Sequence, residues 1–162
     1  MSKTVTNIIF AGIGGQGVLT ASDILTEVAF RSGLDVKKSE IHGMSQRGGS
    51  VSSDVRFGSD VLSPMVPDGQ ADFLVVLDDT QIENNRHMLV DGGVLIEPSC
   101  LDIDRLPSRK SLNVALLGVL SESLEIDEAI WLEVIHSSLA EKLHEMNDVA
   151  FAIGREAGRD AK

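Results

Sequence analysis

The chain has 162 residues, 43% of them hydrophobic and 24% charged, and its 14 basic against 25 acidic side chains give a formal net charge of −11. Its length suits one domain with its own core, and no stretch approaches the roughly 20 consecutive apolar residues of a membrane span. A balance this acidic argues against nucleic acid as a partner, because phosphate contacts need a concentrated basic surface.

Residues Asn7–Ala11 form a short apolar run that reads as a buried strand. The glycine-rich turn Gly12-Ile13-Gly14-Gly15-Gln16-Gly17 follows. Val18, Ala21, Leu25, Val28 and Ala29 then recur at helical spacing, and the helix should stop near Ser32-Gly33. Leu34–Ser39 reads as a second strand. A β-turn-α-β unit of this length predicts a right-handed crossover and a parallel pair.

Glu40–Gly49 has no useful period and reads as a loop. From Ser50 the pattern alternates, with Val51, Ser53, Val55 and Phe57 on one face and Ser52, Asp54 and Arg56 on the other. Gly58-Ser59-Asp60 offers a turn and Val61–Val66 returns, which predicts a hairpin or meander. Pro64 and Pro67 suit an edge or an exit from the sheet.

Phe73–Leu77 is the most apolar short run and reads as a central parallel strand. Thr80–Leu89 is predicted helical, Asp91-Gly92-Gly93 a turn and Val94–Glu97 a strand. Pro98–Lys110, with two prolines and mixed charges, gives no regular pattern. Leu112–Leu124 is apolar on nearly every side, as a buried helix is. A last long helix begins at the N-cap Asp127, with Ile126 and Trp131 as a hydrophobic staple and Leu132, Ile135, Leu139, Leu143 and Met146 on one stripe. The expected fold is therefore α/β: a Rossmann-like three-layer open sheet, mostly parallel, with an added hairpin and a C-terminal helical segment. One domain is expected over residues 1–162, with no internal repeat.

Gly12, Gly14 and Gly17 satisfy G-x-G-x-x-G between a strand and a helix. Such glycines let the backbone turn tightly, and the helix start beyond them offers unpaired N–H groups to an anion. Rossmann sites add an acid at the end of the second strand, and Glu40 stands roughly there. Gly12, Gly14, Gly15, Gln16, Gly17 and Glu40 are thus the candidate cofactor-binding residues. Against this, the bulky amide of Gln16 stands where backbone N–H groups would meet phosphates, and a glycine turn also serves close helix–strand packing.

The loop after the second strand brings His42, Gly43, Ser45, Gln46, Arg47, Gly48 and Gly49 together near that turn. Arg47 can bind a phosphate or carboxylate through its fork of donors, and His42 can move a proton. Equally, a loop pinned by glycines can dock another protein. No catalytic residue can be singled out. Asp78-Asp79 reads as a helix cap rather than a metal site, Asn113 as a satisfied core amide, and His136 and His144 as solvated. The single cysteine, Cys100, and four scattered histidines give no zinc spacing and no cysteine set for an iron–sulfur cluster, so no metal site is expected. The N-terminus Met1-Ser2-Lys3-Thr4 has no signal-peptide core, which predicts a cytoplasmic protein.

Together, GIGGQGV (Gly12–Val18), SEIHGMSQRGGSV (Ser39–Val51) and VRFG…SPMVP (Val55–Pro67) resemble the gamma-type subunit of 2-oxoacid:ferredoxin oxidoreductases. The second block is most similar to the small subunit of indolepyruvate ferredoxin oxidoreductase, and NVALLGVL (Asn113–Leu120) and FAIG (Phe151–Gly154) resemble the family's C-terminal half. The resemblance implies one subunit of a complex that oxidatively decarboxylates a 2-oxoacid, forms an acyl-coenzyme A and passes electrons to ferredoxin. Thiamine diphosphate supplies the carbanion chemistry. It and the iron–sulfur clusters would be held mainly by partner subunits, leaving this chain with no firmly bound cofactor and inactive alone. Relative to the family pattern, the stretch between Glu97 and Asn113 is short.

On this reading the glycine turn and the Glu40–Gly49 loop form the side of the site facing the thiamine subunit, or a seat for coenzyme A phosphates, with a subunit contact favoured for the loop. A different class is a nucleotide-binding scaffold or sensor using GIGGQG, and a third is an assembly platform without ligand. A hairpin edge makes a homodimer a further expectation.

Overall fold

The computed structural model describes residues 4–42 and 49–162. Five strands, β1 (Val5–Ile13), β2 (Asp35–His42), β3 (Ser50–Gly58), β4 (Ala71–Val76) and β5 (Leu89–Ile96), form one sheet in the order β2-β3-β1-β4-β5. β1 pairs parallel with β4, and β4 with β5. β3 pairs antiparallel with both β1 and β2. The open α/β sheet is as expected, but it is mixed rather than mostly parallel. The β1–β2 parallel pair does not form, because β3 inserts between the two strands.

The alternation in β3 explains how it can occupy an inner position. Val55 and Phe57 are buried with α1 (Val18–Arg31) in the main core, while Asp54 and Arg56 on the other face hold the chain that follows. The hairpin is therefore β2–β3, and Val61–Val66 is not its returning arm. Pro64 lacks a backbone donor, and the segment is tied down by side chains instead. Val66 N–H donates to Asp54 Oδ2 at 2.9 Å, and Arg56 Nη1 donates to the Ser63 carbonyl at 2.9 Å.

The longer helices lie on one face of the sheet: α1, α3 (Leu112–Ser121), α4 (Glu128–Ser138) and α5 (His144–Asp160). Ile8, Phe10, Val75 and Ile96 meet them there. The third layer is thin. Ile9, Ala11, Leu74 and Val76 are covered by Val66 and by residues of a broken helical segment, the 3₁₀ turn Asp79–Gln81, the single-turn α2 (Ile82–Asn85) and the 3₁₀ turn Arg86–Met88. Gly92 and Gly93 form an irregularity inside β5 rather than a turn before it. From β5 to α3 the chain runs through three 3₁₀ turns with no further strand.

α3 is buried nearly all round, as its composition predicts. It crosses α5 where Gly118 and Gly154 meet, and a Cβ on Gly154 would lie 1.8 Å from the Ala115 carbonyl oxygen. This close crossing joins NVALLGVL to FAIG. The last long helix is in fact two, α4 and α5, broken at residues 139–143. Asp127 does cap α4, its carboxylate accepting from Ala129 N–H. His136 and His144 are not separately solvated. Their rings stack at 4.4 Å across the break, with His136 Nε2 2.6 Å from Asp148 Oδ1 and His144 Nε2 2.7 Å from the His136 carbonyl. Among the described residues no helix is long and apolar enough to cross a membrane.

Candidate functional site

β1 and β4 are parallel neighbours whose continuations leave the sheet on opposite faces. After Ile13 the chain turns into α1 on the helical face; after Val76 it passes into the thin layer through Asp78. At such a point the carboxyl ends of the strands part and open a crevice, the usual ligand position in an open α/β sheet. A cavity of about 780 Å³ lies there. Gly15, Gln16 and Gly17 line one side, Leu77, Asp78, Asp79 and Thr80 another, and Pro98, Ile103, Arg109, Lys110 and Leu112 close the third.

Gln16 bridges the crevice. Its Oε1 accepts from Ile13 N–H at 2.7 Å, and its Nε2 donates to Asp78 Oδ2 at 2.8 Å. The other carboxylate oxygen of Asp78 accepts from Thr80 N–H at 3.0 Å and from the Thr80 hydroxyl at 2.6 Å. The Thr80 hydroxyl, the Thr80 N–H and the Gln16 amide, in that order, hold the Asp78 carboxyl below the usual carboxylate range. Asp78 is a helix cap, as its sequence position predicts, and it also receives the amide that spans the site.

The turn spends part of its backbone on itself. Gly14 N–H donates to the Gly49 carbonyl at 2.9 Å and Gln16 N–H to the Ile13 carbonyl at 3.2 Å. Gly12 is still within β1, opposite Val51. Gly17 is left-handed (φ +84°), and a Cβ there would fall 2.5 Å from Asn113 Nδ2. Asn113 donates to the Gly17 carbonyl at 3.3 Å and accepts from Val114 N–H at 2.9 Å, so it is a satisfied amide that seats α3 against the turn. The start of α1 carries no side-chain cap and no acid in its first turn. The cavity at that helix start is also lined by Asp78 and Asp79.

Glu40 is not beside this turn. It lies on edge strand β2, opposite Ser53 of β3, and its carboxylate pairs with Lys38, which also pairs with Asp23. β3 separates it from β1, so it stands two strand spacings away, about 10 Å. The ribose-binding position of a Rossmann acid is not available to it. His42 ends β2 with its backbone opposite Val51, and Gly49 bonds Gly14. Gly43, Ser45, Gln46, Arg47 and Gly48 lie outside the described residues.

Sequence reasoning missed Arg109 and Lys110. Both are exposed at the cavity and make no side-chain hydrogen bond or ion pair among the described residues. They follow Ser108, whose hydroxyl accepts from Lys110 N–H and starts the 3₁₀ turn before α3. That Ser-x-x cap was the one local signal for them. Glycine backbone, a helix start and two cations suit a phosphate-bearing ligand. The chain's single cysteine, Cys100, cannot hold an iron–sulfur cluster. Among the described residues no three His, Cys, Asp or Glu side chains stand together as metal ligands.

Residues 7–110 match the family described as pyruvate ferredoxin/flavodoxin oxidoreductase. The indolepyruvate oxidoreductase subunit IorB of Thermococcus kodakarensis is 30% identical, over 95% of this chain and 96% of its own length. That alignment runs over 194 positions, longer than the 162 residues here, so the relative carries segments this chain lacks. The common gamma subunit of pyruvate/ketoisovalerate oxidoreductases from the same organism is 31% identical over 74% of this chain and 67% of its own. In fold, the chain resembles the gamma subunit of a keto/oxoacid ferredoxin oxidoreductase from Geobacter sulfurreducens, with a TM-score of 0.81 at 23% identity over 96% of this chain and 99% of that one. It also superposes on 32% of a chain of the 2-oxoglutarate:ferredoxin oxidoreductase from Magnetococcus marinus, with a TM-score of 0.83 at 22% identity over 98% of this chain.

Proposed function

This chain belongs to the pyruvate ferredoxin/flavodoxin oxidoreductase family, and we propose that it is the gamma-type subunit of a cytoplasmic 2-oxoacid:ferredoxin oxidoreductase. Its partners would be the thiamine-binding and iron–sulfur subunits of that enzyme, with ferredoxin reached through them. Thiamine diphosphate and the clusters would reside on the partners. When bound there, thiamine supplies the carbanion chemistry.

The observation that carries its own role is the crevice between β1 and β4. Gln16 and Asp78 fix its floor, α1 begins at it without a side-chain cap, and Arg109 and Lys110 add positive charge that no described residue pairs. These features support a seat for the phosphates of coenzyme A, and the end of β2 with the segment that follows it, residues 40–49, would contact the thiamine subunit beside it. The relative from Magnetococcus marinus is described with 2-oxoglutarate, coenzyme A and succinyl-CoA bound.

The test is Arg47→Ala in the complex reconstituted with its partner subunits. Activity is expected to fall at least tenfold, while the isolated domain keeps its thermal midpoint. Unchanged activity in the reconstituted enzyme would sink the proposed role of the loop.

A further inference from the structure

The segment between β3 and β4 has no regular secondary structure, yet charged side chains hold it to one path across the thin face of the sheet. Val61 N–H donates to Asp35 Oδ2 at 2.8 Å, and the Val61 carbonyl accepts from Lys37. Arg56 donates to the Ser63 and Met65 carbonyls, and Asp54, only 6% exposed, accepts from Val66 N–H. Four ionisable groups from two strands thus fix one short strap, and Pro64 and Pro67 stiffen it further.

Val61 and Val66 point into the protein, at 1% and 4% exposure, and Leu62 and Met65 point out, at 87% and 55%. On the same sheet face Ile41, 51% exposed, lies at the rim of a hollow of about 150 Å³. A solvent loop would carry polar residues at such outward positions. Here a rigid mount presents apolar ones, which lowers the ordering cost of a contact. Asp60 and Asp68, both exposed, stand at the two ends of the strap in a chain of net charge −11.

We infer that this strap, with the sheet face around Ile41, is a docking surface for the thiamine-binding subunit of the same enzyme, which offers apolar side chains edged by lysine and arginine. The inference rests on the reading of the chain as a complex subunit. An apolar centre with an acidic rim fits such a partner: the centre contributes most of the affinity, and the rim steers the encounter.

The experiment is assembly of the full chain with the thiamine-binding subunit expressed from the same source. Leu62→Asp with Met65→Asp should weaken association at least tenfold and leave the thermal midpoint of the free chain unchanged. Leu62→Ser with Met65→Gln gives a milder loss in the same direction if the acidic pair lowers stability. Asp60→Lys with Asp68→Lys should slow association several-fold at low salt, with the difference vanishing at high salt. Assembly of the Leu62/Met65 variants at wild-type affinity overturns the inference. So does a dimer of the free chain, seen by sedimentation, that those variants abolish while partner binding stays intact. If the wild-type chain joins no thiamine-binding subunit, the subunit reading itself falls as well.

Discussion

Gly154→Ala tests the packing argument most directly. A methyl group there would lie 1.8 Å from the Ala115 carbonyl oxygen and 3.0 Å from Gly118 Cα. Both obstacles are backbone, so relief requires α3 and α5 to part rather than a side chain to swing. Overpacking costs about 1–3 kcal/mol and a backbone clash belongs at the upper end. Alanine's better helix propensity returns about 1 kcal/mol. The net is about 2 kcal/mol, or a fall in Tm of about 4–8 °C for a chain of this size. Gly158→Ala makes a useful comparison, because its Cβ would meet the Val119 carbonyl at 2.9 Å but otherwise only the Glu122 side chain, at 3.0 Å. It should cost less. Thermal melts followed by circular dichroism, with urea titrations alongside, give both values. A Gly154→Ala protein melting within about 1 °C of wild type, or more stable than Gly158→Ala, would refute the close-crossing account.

Three further outcomes follow from the site and the strap. Gln16→Ala leaves Ile13 N–H and Asp78 without their bridging amide and should cost about 1–3 kcal/mol in urea unfolding. The Asp78 carboxyl is depressed in the folded state, so its stabilisation is present above the ordinary carboxylate pKa and is lost as pH falls through the folded value. Asp78→Asn should therefore be less stable than wild type at pH 6, with the gap closing below about pH 4, as urea midpoints at the two pH values will show. Asp54 has the opposite sign: burial pushes its carboxyl up, against the Val66 N–H and the Arg56 charge, so ionising it costs stability as pH rises past the ordinary carboxylate range. Asp54→Asn keeps an acceptor for Val66 N–H and should gain on wild type between pH 4 and pH 7, measured the same way.

The sequence carried local facts well and non-local pairing poorly. Alternation assigned the faces of Ser50–Gly58 correctly, because a side chain's face depends only on its own strand. It could not say which strands β3 pairs with, since that choice is made by residues far along the chain, and so both the parallel β1–β2 pair and the Val61–Val66 arm were misplaced. The apolar stripe from Leu132 to Met146 spans a break that hydrophobic spacing does not register, although Ser138, Leu139 and Ala140 supply no strong stop signal either. At the site, the glycine turn and the Asp78 cap were legible from residue type. Arg109 and Lys110 were not, because only the fold carries the irregular segment 98–111 back over the carboxyl ends of β1 and β4.

The position of β3 also decides how much of a dinucleotide site this fold keeps. In a Rossmann unit β2 lies next to β1, and its terminal acid reaches the ribose of a ligand whose phosphates sit on the first turn. Here β3 takes that place, and Glu40 is engaged by Lys38 instead. The β1–β4 junction is untouched, since α1 and the short helical segment still leave on opposite faces. The crevice of that pattern is kept, and the acid the pattern places beside it is not. Gln16 then occupies part of the turn and ties it to Asp78, so side-chain hydrogen bonds from the ends of both strands hold the floor of the crevice. Arg109, Lys110, Asp78 and Asp79 all line that crevice, so its charge is set by two cations against two carboxylates rather than by an acid from β2.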